Sequence, residues 1–200
     1  MTTLIKNGMY QLLYIFYTNQ GKRIHLRELS RMTEMYGQSI SRYLQELEKK
    51  HILKSEKEGN LKQYFLMHNQ ETYIFLAMFD IEKYNKLPLL RKQAISTYLH
   101  SLPYPPVFAV LFGSTAKETY KENSDIDILI ITPTKIDAHK AEKEVDALHA
   151  VKISTFQMTF QNFIKELKLK EDPVVQSAIN TGYPLVNHVS YYEVLHNERV

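Results

Sequence analysis

The stretch FAVLFGSTAKETYKENSDIDILII, Phe108 to Ile131, places two carboxylates at the head of an apolar run that reads as a buried strand. Taking a lone carboxylate out of water costs on the order of several kcal/mol, so a strand that carries two of them needs a compensating charge. Residues two apart in a strand share a face, which points Asp125 and Asp127 the same way and sends Ile126 and Ile128 into a core. Two carboxylates side by side repel, and one is pushed toward its neutral form unless a divalent cation bridges them. Mg2+ suits the pair, because it takes oxygen ligands and shares its remaining positions with phosphate oxygens and water. A few residues earlier, Gly113-Ser114 turns out of the preceding strand into a short helix expected over Thr115–Tyr120. Its backbone N–H groups and the Ser114 hydroxyl suit phosphates. A phosphate cradle and a metal pair therefore share one stretch, and Lys117 adds a candidate phosphate contact.

Around this stretch the back of the chain alternates strand and helix. Strands are expected at Val107–Phe112, Asp125–Ile131, Lys152–Met158 and Tyr183–Val186, with helices at Asp137–Ala150, Phe160–Leu169 and Pro173–Asn180. The implied fold class is α/β (α+β), with a small mixed sheet flanked by helices.

The front of the chain has a different rhythm. Apolar residues from Leu4 to Phe16 recur at helical spacing, and Asn19-Gln20-Gly21 stops them. Leu26, Leu29 and Met32 mark one face of a short helix. Met35-Tyr36-Gly37 forms a turn in which Gly37 suits a positive φ. A second helix follows over Gln38–Lys50, apolar at Ile40, Tyr43, Leu44 and Leu47. Its opposite face carries Gln38, Ser39, Ser41, Arg42, Gln45 and Lys49, side chains suited to phosphates and base edges. Two strand-like runs, Ile52–Glu56 and Leu61–Met67, flank a turn at Glu58-Gly59-Asn60 and make a hairpin. Lys62 lies on that hairpin.

Charge divides along the same line. Residues 1–68 hold 11 Lys and Arg against 6 Asp and Glu, a net of +5, whereas residues 69–200 hold 14 against 16, a net of −2. A basic front on a mildly acidic back directs a polyanion to the front alone. The 200 residues suffice for two compact domains. Junctions are expected near 68 and near 104, where LPYPP, Leu102–Pro106, stiffens the chain. The connector at 69–104 holds a helix from Gln70, a break at Pro88 and a helix at Leu89–Leu102. There is no cysteine, which rules out disulfides and thiolate metal sites and fits a reducing cytoplasm. The opening MTTLIKNGMYQLLYIFYTNQ reads as neither a signal peptide nor a membrane span.

Two resemblances follow. LRELSRMTEMYGQSISRYLQELEKKHILKSEKEGNLKQYFL, within about residues 5–68, resembles the winged helix-turn-helix domains of small prokaryotic transcription regulators. The resemblance implies double-stranded DNA as partner, with Gln38–Lys50 in the major groove and the hairpin at a phosphate or the minor groove. His51 stands where that family usually places a glycine to end the helix. LFGSTAKETYKENSDIDILI is similar to the minimal members of the nucleotidyltransferase superfamily typified by DNA polymerase beta. The match comprises an apolar strand, Gly-Ser, a spacer, and Asp-hydrophobic-Asp preceded by Ser. This resemblance implies Mg2+ on Asp125 and Asp127, and a nucleoside triphosphate on Gly113, Ser114 and Lys117. It further implies transfer of a nucleoside monophosphate to an acceptor hydroxyl, with Asp125 and Asp127 catalytic. A separate helical toxin is a frequent partner of such proteins, and a homodimer is a further expectation.

One departure bears on the chemistry. The family brings a third carboxylate from the next strand, but Val151–Phe163 contains no Asp or Glu, and Ser154 stands at the expected position. A serine hydroxyl takes no proton at neutral pH. Glu144 and Asp146, on the preceding helix, read as its solvated face, and His139 and His149 form no ligand pair. An alternative reading is therefore a non-catalytic winged-helix regulator whose back half senses a nucleotide or dimerises.

Overall fold

The structure, a computed structural model, describes residues 7–199. The chain divides into two compact units, Met1–Phe79 and Asp80–Val200, each with its own sheet. The division falls inside a helix, between the expected junctions near 68 and near 104.

In the first unit, α1 (Asn7–Thr18) buries Met9, Leu12, Leu13, Ile15, Phe16 and Tyr17. Leu4 and Ile5, assigned to the same apolar stripe, lie outside the described residues. A two-residue strand, β1 (Ile24–His25), was not anticipated; it is too short to show an alternation and exists only through its pairing with the hairpin. α2 (Leu26–Thr33) buries Leu29 but leaves Met32 48% exposed, so the expected three-residue face is narrower than its spacing suggested. Glu34 takes the left-handed conformation after α2 (φ 56), whereas Gly37 becomes the first residue of α3 (Gly37–Lys49). The positive φ falls where α2 is capped, three residues before the expected glycine.

α3 buries Ile40, Leu44 and Leu47 at the expected spacing. His51 adopts φ 56, the conformation that glycine usually supplies at a helix end. β2 (Leu53–Glu58) and β3 (Leu61–Leu66) then form a hairpin around Gly59 (φ 60), with Glu58 opposite Leu61. The sheet order is β1-β3-β2, antiparallel throughout. Three helices are thus followed by a hairpin, the order of elements expected from the sequence.

α4 (Gln70–Lys86) crosses the division, and α5 (Leu89–Ser101) begins after Pro88, which ends α4 as expected. The second unit is built on four strands: β4 (Phe108–Phe112), β5 (Ile126–Thr132), β6 (Ile153–Thr159) and β7 (Tyr183–Val186). Their order is β6-β5-β4-β7, with β5 and β6 parallel and the other pairs antiparallel. Every residue of β4 is buried, so both faces of the sheet are covered.

On one face Ala109, Leu111, Ile126, Ile128 and Ile130 pack with Ala94, Ile95 and Tyr98 of α5 and with Ala141 and Val145 of α7 (His139–His149). On the other, Phe108 meets the rings of Phe160 and Phe163 of α8 (Phe160–Leu169) and of Tyr191. α9 (Pro173–Thr181) starts on an Asp172 side chain that accepts from Val174 N and Val175 N, with Pro173 in its first turn. The chain closes with α10 (His188–Arg199), which periodicity did not indicate. This is a mixed α+β fold, and no helix among the described residues is long and apolar enough to cross a membrane.

Candidate nucleotide and metal site

Strand register assembles the site from three segments. Asp127 pairs with Phe112 across the antiparallel β4–β5 ladder and with Ser154 across the parallel β5–β6 ladder. Because β4 ends at Phe112, the Gly113 turn falls directly beside Asp127. Gly113 has φ +67, and a Cβ built there would stand 2.0 Å from Asp127 Oδ2. The dihedral disfavours a side chain, and a Cβ would force the Asp127 carboxylate out of its position, so this glycine is favoured by close approach as well as by backbone conformation.

Asp125 is exposed just ahead of β5, Asp127 is half-buried, and Ser154 Oγ donates to Asp125 Oδ2 at 3.4 Å. Burial first, and the Asp125 charge second, push the Asp127 carboxyl above its ordinary range. A cation shared by the pair would reverse the second effect. The donor set fits Mg2+: two carboxylates and a hydroxyl, all oxygen, with other positions left for phosphate and water. Among the described residues no group of three or more His, Cys, Asp or Glu could hold a metal ion. At this site the protein thus offers such an ion two carboxylates.

The helix after the turn is shorter than expected. α6 is a single turn, Gly113–Ala116, because Glu118 adopts φ 58 and Thr119 N closes back on Ser114 O at 3.0 Å. One turn sums little macrodipole. An anion placed at this point would meet local N–H groups and the Ser114 hydroxyl rather than a helix field. Gly113 and Ser114 are both partly exposed, and Lys117, next after α6, is exposed. The chain returns to β5 through a turn closed by Ser124 N on Lys121 O at 3.0 Å and by Lys121 N on Ser124 Oγ at 2.9 Å.

Sequence reasoning passed over Arg91. This α5 residue is 5% exposed and looked like any basic residue of a helix. Its guanidinium donates to Thr115 Oγ1 at 2.8 Å, Ser124 O at 2.9 Å and Lys121 O at 3.2 Å, and lies 4.0 Å from the Tyr120 ring centroid. Two of the three acceptors are main-chain carbonyls, which no residue pattern reveals. Glu144 and Asp146 lie exposed on α7, while His139 pairs with Glu142 and His149 with Thr97.

In the first unit the polar face of α3 leaves Gln38, Arg42, Gln45 and Lys49 exposed, and Ser39 and Ser41 partly so. Arg42 leans over the Tyr43 ring, 5.3 Å from its centroid. Lys62 is differently placed: its ammonium pairs with Glu48 at 3.1 Å and sits 4.8 Å from the Tyr64 ring centroid. Tyr36, just before α3, is 87% exposed, a large side chain at that helix's start that the sequence reading treated as turn.

Solved structures resemble parts of the chain at low identity, among them a crystal structure of AF1382 from Archaeoglobus fulgidus (15% identity, TM-score 0.38, covering 42% of this chain and 94% of that one). A toxin-antitoxin structure with AMP-PNP aligns at 18% identity and TM-score 0.37, over 51% of this chain and 80% of that one. TrmBL2, an archaeal chromatin protein, aligns at 16% identity and TM-score 0.30, over 84% and 70%. No curated protein matches the chain. Residues 93–180, which contain the Gly113-Ser114 turn, the Asp125–Asp127 pair and Ser154, match the family model of the nucleotidyltransferase domain.

Proposed function

We propose that the protein couples a DNA-binding winged helix to a Mg2+-dependent nucleotidyltransferase domain that moves a nucleoside monophosphate from a nucleoside triphosphate to an acceptor hydroxyl. The observation that carries this reading is the seating of the Asp127 carboxylate against Gly113, where no Cβ fits. A phosphate-binding turn and a carboxylate pair so close together serve one ligand, a triphosphate with its cation. Mg2+, when bound, supplies positive charge to the phosphates and to the leaving pyrophosphate.

The chain's own residues divide the remaining work. Gly113 and Ser114 orient phosphate oxygens, Lys117 adds a positive charge near them, and Asp125 and Asp127 hold the ion. In the transfer, the acceptor oxygen bonds to the α-phosphorus as the bond to the pyrophosphate oxygen breaks. The acceptor proton must leave, and Ser154 cannot take it. Asp125 and Asp127 are therefore the only carboxylates of this site that face the task. A positioned base is worth roughly 10²–10⁴ in rate, so turnover is expected to be slow.

The same Ser154 favours a second reading, in which the domain binds nucleotide as a signal and the winged helix reports it on DNA. Incubation with Mg2+ and each labelled triphosphate separates the two. Pyrophosphate release that disappears in Asp125→Asn supports transfer; triphosphate binding without release supports the sensor.

A further inference from the structure

We propose that Arg91 is a positioning residue that sets the separation between the phosphate-binding turn and the carboxylate pair. The inference rests on the nucleotidyltransferase reading of this site and adds to it a residue that lies ahead of the family match at 93–180.

Arg91 is 5% exposed as a residue, so its guanidinium keeps little of its hydration, and burying an ion without return costs on the order of several kcal/mol. None of the three acceptors that meet it is a carboxylate, so no ion pair among the described residues offsets the burial. A leucine would fill comparable space without that cost. What a leucine lacks is the planar fork of donors, fixed in direction by the delocalised group.

The acceptors show what the fork holds. Thr115 directly follows Ser114, and Ser124 directly precedes Asp125. Nη1 takes the first and Nη2 the second, together with Lys121 O, while the Tyr120 ring lies against the guanidinium. One rigid group therefore spans both ends of the 116–123 connection, just outside the two halves of the site. After the last residue of α6 the connection holds only turns at 117–118 and 122–123, with a left-handed residue at Glu118. Arg91 is buried, and three of its N–H donors are spent on the connection rather than turned to a ligand. Its effect on a triphosphate acts through the spacing of the groups that touch the ligand. Lysine at this position keeps the charge and loses the fork.

Spacing has a signature that simple destabilisation lacks: coupling between metal and phosphate. A non-hydrolysable triphosphate is titrated with and without Mg2+ into wild type, Arg91→Ala, Arg91→Lys and Thr115→Val. Wild type is expected to bind about tenfold or more tighter with Mg2+. In Arg91→Ala and Arg91→Lys that ratio falls to within about threefold of unity, while affinity without Mg2+ changes by less than about threefold. Thr115→Val, which removes one acceptor and preserves volume, shows an intermediate ratio and carries the test with Arg91→Lys if Arg91→Ala does not fold. Wild-type coupling retained in Arg91→Lys and Thr115→Val would overturn the role of Arg91 and leave the site intact. Wild type that shows no Mg2+ dependence would overturn the nucleotide reading itself, and the role of Arg91 with it.

Discussion

The two units hold their candidate functions in different physical forms. In the first, α3 presents long polar side chains to solvent, and each could be exchanged for a similar one without disturbing the helix beneath. In the second, the site exists because strand register brings Asp127 against Gly113 and opposite Ser154. A function spread over a surface degrades in increments; a function built on close approach fails at one atom. Variants of the two units should differ in kind as well as in degree.

The largest effect is expected at Ser154. With no acidic residue on β6, replacing Ser154 by Asp places a carboxylate in register with Asp127. Pyrophosphate release should rise by roughly 10²–10⁴, the value of a positioned base. A variant that binds Mg2+ more tightly but releases no pyrophosphate would favour the sensor over the enzyme.

The first unit should respond more gently. Arg42→Ala is expected to weaken duplex DNA binding about fivefold to tenfold and to reduce the salt slope by about one. Lys62→Ala should change the slope less, because Glu48 already neutralises that ammonium. Lys165→Ala, exposed on α8 of the other unit, serves as the control. Equal effects of Arg42→Ala and Lys165→Ala in fluorescence anisotropy would remove α3 from the interface.

The smallest effect is on stability. The Asp127 carboxyl is raised above its ordinary range, so the folded protein disfavours its charged form. Without metal, this penalty is absent below the unfolded carboxylate pKa. It grows as pH rises through the window up to the raised folded value, and is complete above it. Asp127→Asn should then raise Tm at neutral pH in chelator, with the difference vanishing below the ordinary carboxylate range. A difference independent of pH would mean that shape rather than charge causes it.

The sequence made some of this legible and hid the rest for physical reasons. Gly113, Ser114, Asp125 and Asp127 stood out because carboxylates in a greasy strand demand an explanation, and strand alternation says which way they point. α8 and β7 fell on their expected boundaries, α8 having a clear period and both having clear stops. α10 did not: its sequence HVSYYEVLHNER has no apolar stripe, and its anchors are distant, Tyr192 donating to Asp80 and Tyr191 packing on Phe108. β1 is too short to have a period. Arg91 was invisible because it is recognised by carbonyls that only the folded connection brings to it.

The central claim is that turn and carboxylates form one site, and the most direct test is calorimetric titration of a Mg2+-bound, non-hydrolysable triphosphate into wild type, Gly113→Ala and Asp127→Asn. The account predicts measurable binding to wild type. It predicts loss by at least about a hundredfold in both variants, because a Cβ at 113 and the Asp127 carboxylate compete for the same space. Binding to folded Gly113→Ala at wild-type affinity would contradict it.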